Sequence, residues 1–116
     1  MEVKHIKTDK GPIAHLSFET GAVLENYSDL FDAIFGVQDE IVALEQKHIT
    51  HDFFDLRTGL AGEILQKISN YRRRLVILGD FDGVTSESLK AFIRESNRGG
   101  QVVFAPDLEA GVALLR

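Results

Sequence analysis

The chain has no cysteine, which excludes disulfides, thiolate-ligated metals and cysteine nucleophiles together and leaves the redox compartment open. It also has no cationic surplus. Against 18 Asp and Glu stand 13 Lys and Arg, for a net charge of -5 and a pI of about 5.3, whereas a general nucleic-acid binder needs excess positive charge to displace phosphate counterions. No nucleic-acid partner is therefore expected. No segment approaches the ~18 to 20 consecutive apolar residues of a membrane span, and the opening MEVKHIKTDKG lacks the apolar run of a secretion signal. Those two absences point to the cytoplasm and to no membrane partner. Internal repeats, low-complexity tracts and linkers are missing as well. The 116 residues, 44% of them hydrophobic, thus read as a single domain, 1–116, able to bury roughly two-thirds of its unfolded surface around one core.

What is present is periodicity. Val3 to Thr8 and Ile13 to Phe18 alternate with period two around TDKGP, which is turn chemistry, and predict a β-hairpin. In its second arm Ala14, Leu16 and Phe18 share one face and Ile13, His15 and Ser17 the other. Ser28 is placed to cap a helix carrying Asp29 and Asp32 near its positive end and Tyr27, Leu30, Phe31, Ile34 and Phe35 as one apolar stripe, stopped at Gly36. Ile41 to Leu44, Leu75 to Leu78 and Gln101 to Ala105 are continuous apolar runs, the pattern of strands covered on both faces. Helices follow at Ser86, with Leu89, Phe92 and Ile93 inward, and at Asp107, with Leu108, Val112 and Leu115 inward.

Residues 48 to 79 are the densest stretch: a loop, an amphipathic helix and a buried strand in succession. Leu60, Ala61, Ile64, Leu65, Ile68 and Tyr71 form the helix's apolar face. Its start has two readings, with Asp52 capping a helix from Phe53 or Thr58 capping a shorter one from Gly59. The element order is ββαβαβαβα. It predicts one α/β domain whose mixed sheet of about five strands, an N-terminal hairpin plus three parallel strands, is joined by right-handed crossovers and flanked by four helices.

The segments HDFFDLRTGLAGEILQKISNYR, LVILGDF and ESNRG resemble the bacterial family catalogued as domain of unknown function 4180, a name that implies no activity. The likeness extends over nearly the whole chain. The element order also resembles the STAS fold of anti-sigma-factor antagonists and sulfate-transporter tails, which implies a partner-binding edge made of a strand, a loop and a helix start. Those antagonists carry a phosphorylatable serine at that helix start, where this chain reads HITHDFF with Thr50 as the nearby hydroxyl. Phosphoswitching is not expected from it.

Motifs with chemical content each have an ordinary alternative. VILGDFDGVTSESL resembles the first motif of haloacid-dehalogenase-type phosphatases, but those enzymes place it near the start of the chain, ahead of a large domain holding the rest of the machinery. Turn-forming Asp80, Asp82 and Gly83 before a Ser86 cap are the expected reading. His48, His51, Asp52 and Asp55 have spacings that allow a divalent metal site if the backbone is helical; a cap, a dipole complement, an Asp55 to Arg57 pair and loop histidines account for the same residues. No metal and no cofactor is assigned. Arg72 to Arg74 follow a helix C-terminus and read as a solvated helix end. GLAG at 59 to 62 lacks the lysine and hydroxyl residue of a phosphate loop.

Ligands of open α/β sheets settle beyond the carboxyl ends of the strands, where the 48 to 58 loop, the Asp80 to Ser86 loop and the turn at Asp107 are expected to gather. The candidate binding residues are His51, Asp52, Asp55, Arg57, Thr58, Asp80 and Asp82. With no nucleophile and base to pair, the expected function is a non-enzymatic regulatory or interaction domain contacting a protein partner or a second copy. The alternative is a ligand- or metal-dependent enzyme at the same edge.

Overall fold

The turn at Thr8–Pro12 folds the first two strands back on each other. The computed structural model, which describes all residues from Met1 to Arg116, pairs β1 (Glu2–Ile6) antiparallel with β2 (Ile13–Ser17), Val3 opposite Leu16 and His5 opposite Ala14. The Thr8 hydroxyl locks the bend by donating to the Gly11 carbonyl at 2.7 Å and accepting the Lys10 N–H at 3.1 Å. Gly11 takes a φ of +118°, open only to a residue without a side chain.

Three parallel strands continue the sheet. β3 (Ile41–Glu45), β4 (Arg74–Leu78) and β5 (Val102–Ala105) extend it in the order β1-β2-β3-β4-β5, with β2 to β5 all parallel. The expected mixed five-stranded α/β domain is what forms. Its helices are α1 (Tyr27–Phe35), α2 (His51–Phe54), α3 (Leu60–Asn70), α4 (Glu87–Gly99) and α5 (Leu108–Leu114). That is five where four were expected, the extra one being the single turn α2.

Alternation splits the core in two. Ala14, Leu16, Val42, Leu44, Leu75, Ile77, Val102 and Phe104 face α1 and α3, packing with Leu30, Ile34, Ala61, Ile64 and Ile68, while Phe92 and Ile93 of α4 pack against the same cluster. Ile13, Ile41, Ala43, Val76 and Val103 turn to the other face, where Leu115 and the half-buried Leu108 and Val112 cover them. Apolar side chains on both faces explain why the parallel strands read as unbroken hydrophobic runs.

Two expectations are corrected. Asn26, not Ser28, caps α1: its side chain accepts the Asp29 N–H at 2.9 Å, and the Asp29 carboxylate accepts the Glu25 N–H at 3.0 Å. Ser28 lies inside the first turn, one residue after the helix has begun. The arginine run is also more than a solvated helix end. Arg73 Nη1 donates to the Val37 and Asp39 carbonyls at 3.0 and 2.8 Å and its guanidinium lies 5.6 Å from the Phe35 ring centroid, while Arg74 donates to the Arg116 and Lys10 carbonyls. Both tie the amino ends of the strands to neighbouring loops.

Candidate functional site

Side chains bonding to nearby backbone shape the segment after β3. Its first residues are anchored from the side: Leu24 N–H donates to the His48 carbonyl at 2.8 Å and Thr50 N–H to the Leu24 carbonyl at 3.1 Å. His48 is 2% exposed, its ring edge-on to Phe18 with centroids 5.3 Å apart. Its Nδ1 lies 2.8 Å from the Ala22 carbonyl, which only accepts, so Nδ1 carries the proton and donates.

From Thr50 onward each polar side chain sets the next turn. The Thr50 hydroxyl accepts the Asp52 N–H at 3.3 Å and starts α2, whose one buried residue, Phe53, drops into the main core. Asp55, at φ -93° and ψ 98°, ends α2 and accepts the Arg57 N–H at 3.2 Å. The same carboxylate takes the Arg57 fork, Nε at 3.0 Å and Nη2 at 2.9 Å. The Thr58 hydroxyl is shared between the Asp52 and Asp55 carbonyls at 2.7 and 2.9 Å and accepts the Leu60 N–H at 3.2 Å. Gly59, at φ +78°, then turns the chain into α3. The longer start does not hold, since Asp52 caps nothing and Asp55 breaks the first turn; the shorter is off by one residue, α3 beginning at Leu60 after the left-handed Gly59, with the Thr58 hydroxyl accepting the Leu60 N–H.

In parallel β3 and β4, Glu45 lies opposite Leu78, so the strands exit side by side. The 51–57 segment consequently meets the start of α4 around a depression of about 510 Å³, lined by His51, Phe54, Asp55, Leu56, Arg57, Ser86 and Ser88. Of the candidate residues, His51, Asp55 and Arg57 are brought together here. Thr58 braces the loop from behind. Asp52 is exposed and contributes its carbonyl. Asp80 accepts the Asp82 N–H at 3.0 Å, a local turn, and neither aspartate lines the depression. Asp107 caps α5 by accepting the Ala110 N–H at 2.8 Å. His48 turns inward while His51 faces solvent, and the structure gathers no group of three His, Asp or Glu side chains suited to a metal ion.

Ser86, Ser88, Phe54 and Leu56 were missed as site residues. Ser86 was legible as the α4 cap, where its Oγ accepts the Leu89 N–H at 3.2 Å and lies 3.1 Å from Ser88 Oγ. Its meeting with residues 29 to 35 positions earlier, Arg57 to His51, depends on β3 and β4 being neighbours.

The charges of the Asp55–Arg57 pair are fixed by their contact. Hydrogen bonds from the Arg57 side chain, and then from its backbone N–H, hold Asp55 below the usual carboxylate range; the hydrogen bonds to Asp55 raise Arg57 further. The sign follows from the lowered carboxylate: ordering by Asp55 is present above the pH at which an unfolded Asp titrates and is lost as pH falls through the lower folded value. Carboxyl-carbon NMR titration is expected to show Asp55 titrating below the usual carboxylate range, and returning towards that range in Arg57→Gln. An unshifted Asp55 in the parent chain contradicts the fork.

Residues 9–115 match the family described as Domain of unknown function (DUF4180), and the chain belongs to that family. No curated protein and no solved structure matches it.

Proposed function

We propose that this member of the DUF4180 family is a non-enzymatic regulatory domain working in the cytoplasm, with residues 51–58 and the start of α4 as its contact surface for a protein partner. The observation that carries the reading is the internally locked loop. Thr50, Asp55 and Thr58 spend their side chains on holding backbone in place, so the surface presented by His51, Phe54, Leu56 and Arg57 is set before anything binds, which reduces the ordering cost of association. Arg57, with its side chain 90% exposed, is the fixed cation at the rim, and the half-buried Phe54 and Leu56 supply apolar contact. The Asp55–Arg57 pair stays charged at neutral pH, which suits recognition better than proton transfer, where a pKa near the working pH is needed. The resemblance to STAS domains, in which a strand, a loop and a helix start form the partner edge, points the same way. Asp52 and Glu87, chain neighbours of the lining residues His51, Ser86 and Ser88, are exposed, so the surface sets carboxylates beside the cation and suits a partner carrying both charges. No helix is long and apolar enough to cross a membrane.

A second reading, a small-ligand-dependent enzyme, rests on His51 sharing the depression with two serine hydroxyls. A thermal-shift screen against metabolites and divalent metals separates the two, since a tight ligand raises the melting temperature by mass action. Stabilisation that vanishes in His51→Ala favours the enzyme. For the interaction reading, the chain immobilised in native-cell lysate is expected to retain a specific protein that Arg57→Glu no longer retains. Equal retention by both chains overturns it.

A further inference from the structure

The opposite end of the sheet holds a second, differently charged depression. Arg72, Arg73, Arg74 and Arg116 line about 350 Å³ at the amino ends of β4 and β5, with Gln101 and two glycines as the remaining wall. No Asp or Glu side chain lines it, in a chain whose net charge is -5. Glu40, whose carboxylate lies 3.7 Å from Arg74, is outside the lining.

Architecture fixes three of the four arginines and leaves the fourth unused. Arg73 is held by the Val37 and Asp39 carbonyls, Arg74 by those of Arg116 and Lys10, and Arg116 Nη2 by the Arg98 carbonyl at 3.3 Å. Each guanidinium has five N–H donors, so these bonds orient the groups without exhausting them. Arg72 differs. Its backbone N–H donates to the Ser69 carbonyl at 3.2 Å, but its exposed side chain takes part in no hydrogen bond or ion pair. Its φ of +55° is the left-handed turn that ends α3, closed by the Arg73 N–H donating to the Ile68 carbonyl at 2.9 Å.

We propose that this depression binds a phosphoanion of about diphosphate size, with Arg73, Arg74 and Arg116 as a preset cationic wall and Arg72 as the arm that closes on the ligand. Planar guanidinium forks match pairs of phosphate oxygens, and the volume admits a short phosphate chain but only part of a larger molecule. Beside Arg72 stands Tyr71, 56% exposed, its ring 5.1 Å from that of Phe35. Tyr71 is outside the lining of the depression, and whether a nucleoside on the phosphates reaches that ring is what the adenosine diphosphate titration reads. The proposal is independent of the contact surface at residues 51–58.

The test is calorimetric titration of the intact chain with inorganic pyrophosphate and, separately, with adenosine diphosphate. Saturable binding that weakens with salt is expected, with Arg72→Gln about tenfold weaker, the scale of one lost charge-assisted contact, and Arg57→Gln unchanged. Arg72→Gln is expected to melt with the parent chain, since its side chain holds nothing else. Equal affinity for the two probes identifies a free phosphate chain as the ligand, and tighter binding of the diphosphate nucleoside identifies a nucleotide; either supports the proposal. Absence of saturable binding of both probes, or undiminished binding by Arg72→Gln, overturns it.

Discussion

Phe53→Ala is expected to lower the unfolding free energy by about 3 to 5 kcal/mol, the usual cost of removing a large ring from a packed core, and to release the contact loop from the sheet. Phe53 is 1% exposed, belongs to the main core cluster, and meets the edge of Phe54 with centroids 5.1 Å apart. A helix of one turn has no stability of its own, because nucleation is unfavourable and only a few residues follow. What holds α2 is therefore the burial of its one core side chain together with the Thr50 cap. Without the ring, α2 loses its anchor, and His51, Phe54 and Arg57 lose their common frame. Urea unfolding measures the first effect, and loss of partner retention with α3 and the sheet still folded measures the second. A stability change under about 1 kcal/mol, small against the known range for core aromatic truncations, would mean that the loop is held by its polar contacts alone.

Asn97→Ala is expected to cost about 2 to 4 kcal/mol, from two backbone groups left without partners, and to promote self-association. β5 is an edge strand of the sheet. Asn97, near the end of α4, accepts the Phe104 N–H at 2.7 Å and donates from Nδ2 to the Phe104 carbonyl at 3.1 Å, standing in for the strand that β5 lacks on that side. Exposed strand edges pair readily with other chains, and this side-chain amide blocks that edge at its middle. Denaturant unfolding gives the stability loss, and size-exclusion chromatography over a range of concentrations gives the association. An Asn97→Ala chain as stable and as monodisperse as the parent would show that water replaces the amide at no cost.

The extent to which the sequence revealed these features follows the range of the interactions involved. The doubly covered strands β3, β4 and β5 and the stripes of α1, α3 and α4 were legible because burial imposes a period on many residues at once. The one-turn α2 leaves no period. Its identity depends on whether Thr50 or Asp52 supplies the cap, and both residue types cap helices. The same degeneracy put the α1 cap at Ser28 in place of Asn26. Arg73 and Arg74 read as surface charge because the carbonyls they hold lie 34 to 64 residues away. At the site, the Asp55–Arg57 pair was within reach of sequence reasoning, being two residues apart. Ser86 and Ser88 were not, since their place beside His51 depends on the pairing of β3 with β4. The turns carrying Asp80, Asp82 and Asp107 were expected to gather with the 48 to 58 loop, but Asp80 and Asp107 bond to backbone in their own turns, and none of the three lines the depression.

The loop's order in the free chain is the claim on which the interaction reading stands. Residue-resolved amide hydrogen exchange at neutral pH measures it directly. The bonded amides of Phe53, Asp55, Arg57, Thr58 and Leu60 are predicted to exchange well below random-coil rates with no partner present. Exchange of all five at the rate of an unstructured peptide would contradict a surface formed in advance.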